Sequence, residues 1–347
     1  LKANIPYSNK RILVCPLDWG LGHAARCVPL IKQLQAQNNS VVVACNTWQK
    51  DFLENEIAEV EFTPLFGYEV KYSEKISLGL KLLSQFPRLS LLVKKENSWL
   101  AGFLKENKFD VVISDNRFGL HNKQVESVFM THQLFVIAPF LNRIANKLNA
   151  SFIKNFDACW VPDLEDKKSS LSGALSHGRT LPANVKYMGP LSRFEKKDCS
   201  PKKNSLLILL SGVEPQRTLL EEKLVLALAE NNHKITLVRG TNKKTTRRFP
   251  ENFDVLDLVN SKQLEEFLLS HQKIICRSGY STLMDLHALR LKALLIPTPG
   301  QTEQEYLAAY WHKTFGFHFL PQSKISKKDI AEWLAAAKDP EPHKQFA

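Results

Sequence analysis

His23, Asp18 and Asp115 are the side chains of this 347-residue sequence that could take a proton from a substrate hydroxyl. His23 lies in "RILVCPLDWGLGHAAR", Arg11 to Arg26, where a strongly apolar run stops at Asp18, two glycines follow and a helix begins. An imidazole suits general-base work near neutral pH. Asp18 competes for that task, and Asp115 follows the apolar run Val111–Ile113 within Ser114-Asp115-Asn116-Arg117. Thr131-His132-Gln133 follows Val128–Met130 in the same way, which adds Arg117 and His132 to the residues expected at strand ends. The competing reading of each loop is structural, with His23 packing or capping at a helix start.

A second set of residues suits an anion and a polyhydroxylated ligand. In "CRSGYSTLMDL", Cys276 to Leu286, a strand ends, Ser278-Gly279 turn the chain, and Ser281-Thr282 open a helix. A helix N-terminus offers unpaired N–H groups and the positive end of the dipole. Asp285 falls one turn inside, where a carboxylate can take two ribose hydroxyls. "LLSGVEPQRTLLEE" repeats the layout with Ser211-Gly212 before Gln216, Arg217 and Thr218. In "IPTPGQTEQEYLAA", Pro297 and Pro299 stiffen a turn, and Gly300 allows close approach of the backbone. Gln301, Thr302, Glu303, Gln304 and Glu305 then supply the amides and carboxylates that suit the hydroxyls of a sugar. Arg217 and Arg277 add positive charge for a departing anion. Ordinary capped helix starts are the alternative.

These residues need a scaffold that brings strand ends to one edge. Short β-branched runs alternate with helical spacing, first at Ile12–Cys15, Val41–Ala44, Val60–Thr63, Val111–Ile113, Val128–Met130 and Ala158–Val161. After an aperiodic stretch, Asp163–Ser205, read as a passage between domains, alternation resumes at Leu206–Leu210, Ile235–Val238, Val255–Leu258, Lys273–Cys276 and Ala293–Ile296. The pattern predicts an α/β protein of two doubly wound, Rossmann-like parallel-sheet domains, residues 1–195 and 196–347, facing a cleft. A last helix over Ile325–Ala337 is expected, able to pack back on the first domain. A net charge of +12 invites an anionic partner, but no nucleic-acid motif accompanies it, and no apolar run is long enough to span a bilayer. Leu1–Lys10 lack the apolar core of a secretory signal. Six cysteines without CxxC spacing read as buried free thiols of a cytoplasmic protein, with no metal site.

RSGYSTLMD followed by PTPGQTEQE resembles the nucleotide-binding half of GT-B glycosyltransferases, most closely the family-28 type, and the strand-end Gly20-Leu21-Gly22-His23 loop is similar to theirs. The resemblance implies a UDP-sugar as donor substrate, no cofactor, and an inverting, metal-independent transfer, in keeping with the absence of a D-x-D motif. It assigns Asp285 to the donor ribose and Ser278, Gly279, Ser281 and Thr282 to the diphosphate. Ser211 and Gly212 take the place of the family's glycine-rich loop, with Gln216 and Arg217 near the phosphates, and Gln304 and Glu305 match the pair that reads the sugar. Glu305 departs from the two glutamines of the lipid-II-forming enzymes, so the donor sugar, an N-acetylhexosamine or a hexose, stays open. On the first domain the resemblance places His23 at the cleft floor as base, with Gly20 and Gly22 clearing space on the acceptor side. It implies a lipid-linked or glycan acceptor. It also agrees with peripheral contact of the apolar, basic stretch Lys75–Lys105 with an anionic membrane at its cytoplasmic face. A UDP-sugar 2-epimerase of the same architecture, or a non-catalytic nucleotide-sugar binder, is the alternative.

Overall fold

The computed structural model describes residues 3–68, 78–178, 180–198 and 200–336, with side chains of its third helix from Arg88 onward. The chain divides into two compact units, Leu1–Arg193 and Phe194–Ala347. In the first, β1 (Arg11–Pro16), α1 (Leu21–Ala36), β2 (Ser40–Cys45), α2 (Thr47–Glu54), β3 (Glu61–Pro64), α3 (Leu78–Glu106), β4 (Val111–Asp115), β5 (Glu126–Met130), α4 (Asn142–Ile153), β6 (Ala158–Val161) and β7 (Val185–Tyr187) follow one another. Their strands form one parallel sheet in the order β3-β2-β1-β4-β5-β6-β7.

Continuous apolar runs, rather than alternating ones, mark strands covered on both faces. β1 shows why. Ile12 and Val14 point into a core shared with Ala24, Cys27, Val28 and Ile31 of α1, while Leu13 and Cys15 point into a second core with Leu100 of α3. The two-residue period of the strand thus feeds two helical layers at once.

The second unit contains β8 (Lys202–Leu209), α5 (Gln216–Leu228), β9 (Lys234–Val238), β10 (Phe253–Leu256), α6 (Ser261–Ser270), β11 (His271–Cys276), α7 (Tyr280–Leu289), β12 (Leu294–Leu295), α8 (Thr302–Phe315), β13 (His318–Phe319) and α9 (Lys327–Ala335). Its strands run parallel in the order β10-β9-β8-β11-β12-β13. In both sheets the strand order reverses beside the first strand, between β1 and β4 and between β8 and β11. In the first sheet α1 and α3 cover opposite faces, and in each sheet this reversal opens a crevice at the carboxyl ends of the two strands. The loops carrying His23, Asp115, Ser211 and Ser278 all start there.

Several sequence expectations change. The last helix packs within its own unit, with Ile330 and Trp333 in the core formed by Leu206, Ile208, Leu220 and Leu224, and Ala337 lies outside the described residues. β7 and β13, three and two residues long, escape a periodicity reading. The largest revision concerns Asp163–Ser205, most of which belongs to the first unit. Its order comes from polar contacts instead of apolar spacing. The fully buried Asp163 carboxylate accepts from the N–H groups of Leu164 (2.7 Å), Leu171 (2.7 Å) and Ser172 (3.0 Å). It also accepts from the hydroxyls of Ser170 (2.8 Å), Ser172 and Ser176 (2.8 Å). Six donors on one carboxylate close a loop that has no helix to hold it. Asp163→Asn sets an amide donor against some of those donors. It should cost at least about 2 kcal/mol, read as a lower Tm or denaturation midpoint. An unchanged midpoint would remove Asp163 from this role.

Candidate functional site

In the first unit the site is built from the carboxyl ends of β1 and β4. Gly20 caps α1 with φ 86° and ψ 171°, a backbone state essentially reserved for glycine, and no side chain caps the helix. This turn sets His23 on the first turn of α1, directed at β4. His23 Nδ1 lies 2.9 Å from Asp115 Oδ2, and Nε2 has no partner among the described residues. Asp115, fully buried, is also met through Oδ1 by Arg26 Nη2. Arg26 Nη1 donates to His132 Nδ1 at 2.8 Å. Burial opposes ionisation of Asp115, but Arg26 and His23 outweigh it and hold the carboxyl below its usual range. His23 is pulled below the ordinary imidazole value by burial first and by Arg26 second, against the opposing pull of Asp115.

His23, Asp115 and His132 are therefore brought together. Arg26, three residues along the same helix face as His23, joins them. The i, i+3 spacing in "GHAAR" was its only signal in the sequence.

Asp18 and Arg117 go elsewhere. Asp18 Oδ2 accepts the Tyr68 N–H at 2.9 Å, and a β-carbon on Gly67 would lie 2.3 Å from the same oxygen. Arg117 is buried, donating to Glu96 (2.7 Å) and to the Phe66 carbonyl (2.7 Å) beneath the Tyr68 ring. Glu96 also accepts from Tyr68 Oη (2.7 Å) and Gly119 N–H (2.8 Å). This closed network holds the loops beside the site and leaves Asp18 less available as a base. Nothing local in the sequence pairs Glu96 with Arg117, twenty-one residues apart. Glu96 belongs to the stretch suggested for a membrane surface. In its described part, Leu100 is buried in the core and Trp99 and Phe103 pack against that core, while Lys75 and the side chains of residues 78–87 lie outside the described residues.

In the second unit three loops converge through buried contacts. Arg277, at the end of β11, donates to the carbonyls of Ile296 (3.2 Å), Pro297 (3.1 Å) and Gln216 (2.8 Å). It thereby ties the β12–α8 loop and the start of α5 to its own loop. No carboxylate pairs with it among the described residues, and burial lowers its pKa to about 10. Ser278 Oγ donates to the Gln304 carbonyl at 2.7 Å. Gln322 Nε2 reaches Gln216 Oε1 at 3.1 Å, and a β-carbon on Gly212 would lie 3.8 Å from Thr298 Oγ1. Sequence reasoning singled out neither Thr298 nor Gln322, which complete the ring of loops.

Helix capping separates these junctions from the rest of the unit. α6 and α9 are capped by Asn260 and Ser326, whereas α5, α7 and α8 have no side-chain cap. At each of these starts the N-cap residue itself makes no side-chain capping bond, and at α5 the Thr218 N–H is taken instead by Glu214 Oε2 at 3.2 Å. A β-carbon on Gly279 would meet nothing within 4 Å, so its surroundings are open. Asp285 is buried on α7. Three expected ligand contacts turn inward. Arg217 donates to Glu214 (2.7 Å), Glu221 (2.8 Å) and Thr218 (2.7 Å). Gln304 Oε1 accepts the Thr298 N–H at 2.9 Å, and Glu305 Oε1 accepts the Gly300 N–H at 3.0 Å, folding both side chains back on the loop before α8. Gln301 stands at the N-cap of α8 without a capping bond.

Residues 209–346 match the glycosyltransferase family 28 C-terminal domain. This span starts at the end of β8 and includes each junction just described. The chain is a family-28-like glycosyltransferase. It is 23% identical over 333 residues to an uncharacterized glycosyltransferase of Methanosarcina acetivorans, covering 86% of this chain and 82% of that one. It is 20% identical over 294 residues to the UDP-N-acetylglucosamine–N-acetylmuramyl-(pentapeptide) pyrophosphoryl-undecaprenol N-acetylglucosamine transferase of Psychrobacter cryohalolentis, covering 79% and 78%. The structure of the glycosyltransferase SnogD from Streptomyces nogalater superimposes with a TM-score of 0.61 at 14% identity over 95% of this chain and 92% of that one, the likeness of a shared GT-B fold. The five cysteines described in the glycosyltransferase are buried and free, and Cys199 lies outside the described residues.

Because nothing lies within 4 Å of a β-carbon at Gly20, Gly20→Ala tests the backbone conformation alone. It should destabilise the glycosyltransferase by about 1–3 kcal/mol, measured by chemical denaturation. A variant as stable as the parent would show that the turn before His23 does not need glycine.

Proposed function

We propose that the glycosyltransferase moves an N-acetylhexosamine or a hexose from a UDP-sugar to a hydroxyl of a lipid-linked or glycan acceptor, by direct displacement with inversion and without a metal. One observation carries the acceptor half of this reading. His23 meets a fully buried carboxylate through Nδ1 and leaves Nε2 without a partner among the described residues. A carboxylate can only accept, so it keeps the proton on Nδ1 and the lone pair on Nε2, which is the arrangement of a general base.

In the proposed step the acceptor oxygen attacks the anomeric carbon from the side opposite the diphosphate. Its proton passes to His23 Nε2. The bond from the anomeric carbon to the phosphate oxygen breaks, and its electron pair leaves with the diphosphate. The amino ends of α7 and α8, with the buried charge of Arg277 behind them, suit that developing charge. Asp285 would take the ribose. Gln304 keeps its Nε2 donor and Glu305 its Oε2 acceptor for the sugar while their Oε1 atoms hold the Thr298 and Gly300 N–H groups. Arg217, engaged by Glu214 and Glu221, has no direct part in this scheme.

The name of the Psychrobacter relative contains both a UDP-sugar and a lipid-linked acceptor, which supports the same classes here. No described helix is long and apolar enough to cross a membrane, so a lipid-linked acceptor would be met by peripheral contact. The family match favours transfer over epimerisation or binding alone.

Thermal-shift measurements with UDP, GDP, dTDP and their sugars test the donor. At a hundred times its dissociation constant, UDP should stabilise the protein by about 2.7 kcal/mol, whereas a preference for GDP or dTDP would overturn the UDP assignment. His23→Ala should lower transfer by about a hundredfold or more and leave the UDP-induced shift unchanged. Undiminished transfer by this variant would remove His23 as the base.

A further inference from the structure

Arg26 makes contacts that the reaction as outlined does not require. It is buried, and its guanidinium touches three groups of the first-unit site: Asp115 Oδ1, His132 Nδ1 at 2.8 Å, and His23 Nδ1 at 2.9 Å. The last contact is the informative one. His23 Nδ1 is equidistant, at 2.9 Å, from an arginine nitrogen that only donates and a carboxylate oxygen that only accepts. It can serve one of them at a time. If Nδ1 carries a proton, it donates to Asp115. If it does not, it accepts from Arg26, the proton moves to Nε2, and the base is lost.

Charge decides between them. Asp115 and Arg26 together are neutral, so a neutral His23 leaves the buried cluster uncharged, and a protonated His23 gives it a net positive charge. Arg26 Nη2 also meets Asp115 Oδ1, and a charged carboxylate is the stronger acceptor for a guanidinium, which directs that nitrogen's donation away from the imidazole. The groups facing His23 are Arg26 on its own helix, Asp115 from β4 and His132 from the loop after β5, and of these only Asp115 favours an imidazolium.

We propose that Arg26 is a positioning residue of this site, which holds Asp115 as a carboxylate and keeps the His23 imidazole neutral with its proton on Nδ1, so that Nε2 is ready to accept. This role rests on the reading of His23 as the base. In a bare aspartate–histidine pair the carboxylate would raise the basicity of the imidazole and leave it protonated at mildly acidic pH. Arg26 cancels that effect. His132, accepting from Nη1, braces the guanidinium from the far side.

The test combines histidine NMR on the ligand-free protein with pH–rate profiles. In the parent, the ¹⁵N shifts of His23 should show a protonated Nδ1 and a bare Nε2, titrating below an ordinary histidine. In Arg26→Met, the His23 titration should move up by about one pH unit or more, and the acidic limb of kcat/KM should move up with it. Arg26→Lys, which keeps the charge, should restore most of the parental profile. A parental His23 with its proton on Nε2 overturns the proposal even if Arg26→Met fails to fold. So does a folded Arg26→Met whose His23 titrates as in the parent. The NMR arm needs no substrate. Failure of the parent to transfer sugar from any UDP-sugar, with the NMR result as expected, would therefore sink the proposed reaction and leave the role of Arg26 in the charge cluster standing.

Discussion

A carboxylate with no exposure to water must be met by a cation, by several hydrogen bonds or by both, or it will not remain ionised. Asp115 meets that condition through Arg26 and His23, and the geometry of the first-unit site follows from it. Both partners sit on α1, three residues apart, so one helix face supplies the cation and the imidazole together. That face points at β4 only if α1 starts immediately after the turn at Gly20. The conformation of Gly20, the pairing of β1 with β4 and the orientation of His23 are thus linked parts of a single solution to burying one charge. Breaking a buried pair from one side typically costs about 3–5 kcal/mol, so the arrangement is stiff as well as polarised.

The second unit handles charge in the reverse way. Arg277 is buried among carbonyl groups with no carboxylate to neutralise it, and its depressed pKa reflects that burial. A guanidinium in this position draws three loops inward and leaves a positive potential beneath them. The amino ends of α7 and α8 on those loops add partial charge of the same sign. Glu214 and Glu221 lie close by but are taken up by Arg217 and, for Glu221, by Arg239 as well. Glu305 is held by an amide of its own loop. The nearby carboxylates therefore have partners, and Arg277 is left without a carboxylate partner among the described residues.

Much of this architecture was legible in the sequence because it rests on local signals. Buried parallel strands are written as unbroken apolar runs, and strand-to-helix turns as short clusters of glycine, serine and aspartate. The junctions at Gly20–His23, Ser211–Gly212 and Ser278–Thr282 could be placed for that reason. Long-range partnerships could not. Glu96 with Arg117, Arg277 with the Ile296 and Pro297 carbonyls, and Asp163 with its serines depend on side chains meeting across the fold, and no periodicity records them. The charged residues were the hardest to read. Arg217, Arg117 and Asp18 have the right chemistry for ligand contacts, yet each is engaged in buried bonds that hold loops. A charged residue at a strand end is ambiguous until its partners are known, since building a site and contacting its ligand call for the same side chains.

The two units share a topology but supply complementary chemistry, and the difference traces to which charge each buries. Next to β1 and β4, a neutralised carboxylate–guanidinium pair surrounds an imidazole. A net charge of zero there is the condition for a base that is free of protons when a hydroxyl arrives. Next to β8 and β11, a guanidinium with no carboxylate partner among the described residues and the amino ends of helices favour an anion, and favour it more as its charge grows. Exchanging the two arrangements would disable both. In the proposed reaction, an unpaired arginine beside β1 would hold substrate phosphates where the base works, and an ion pair beside β11 would cancel the field that suits a leaving diphosphate. One sheet topology can therefore host two kinds of site, because the fold fixes only where the loops emerge, and the partner given to each buried charge decides what those loops can do.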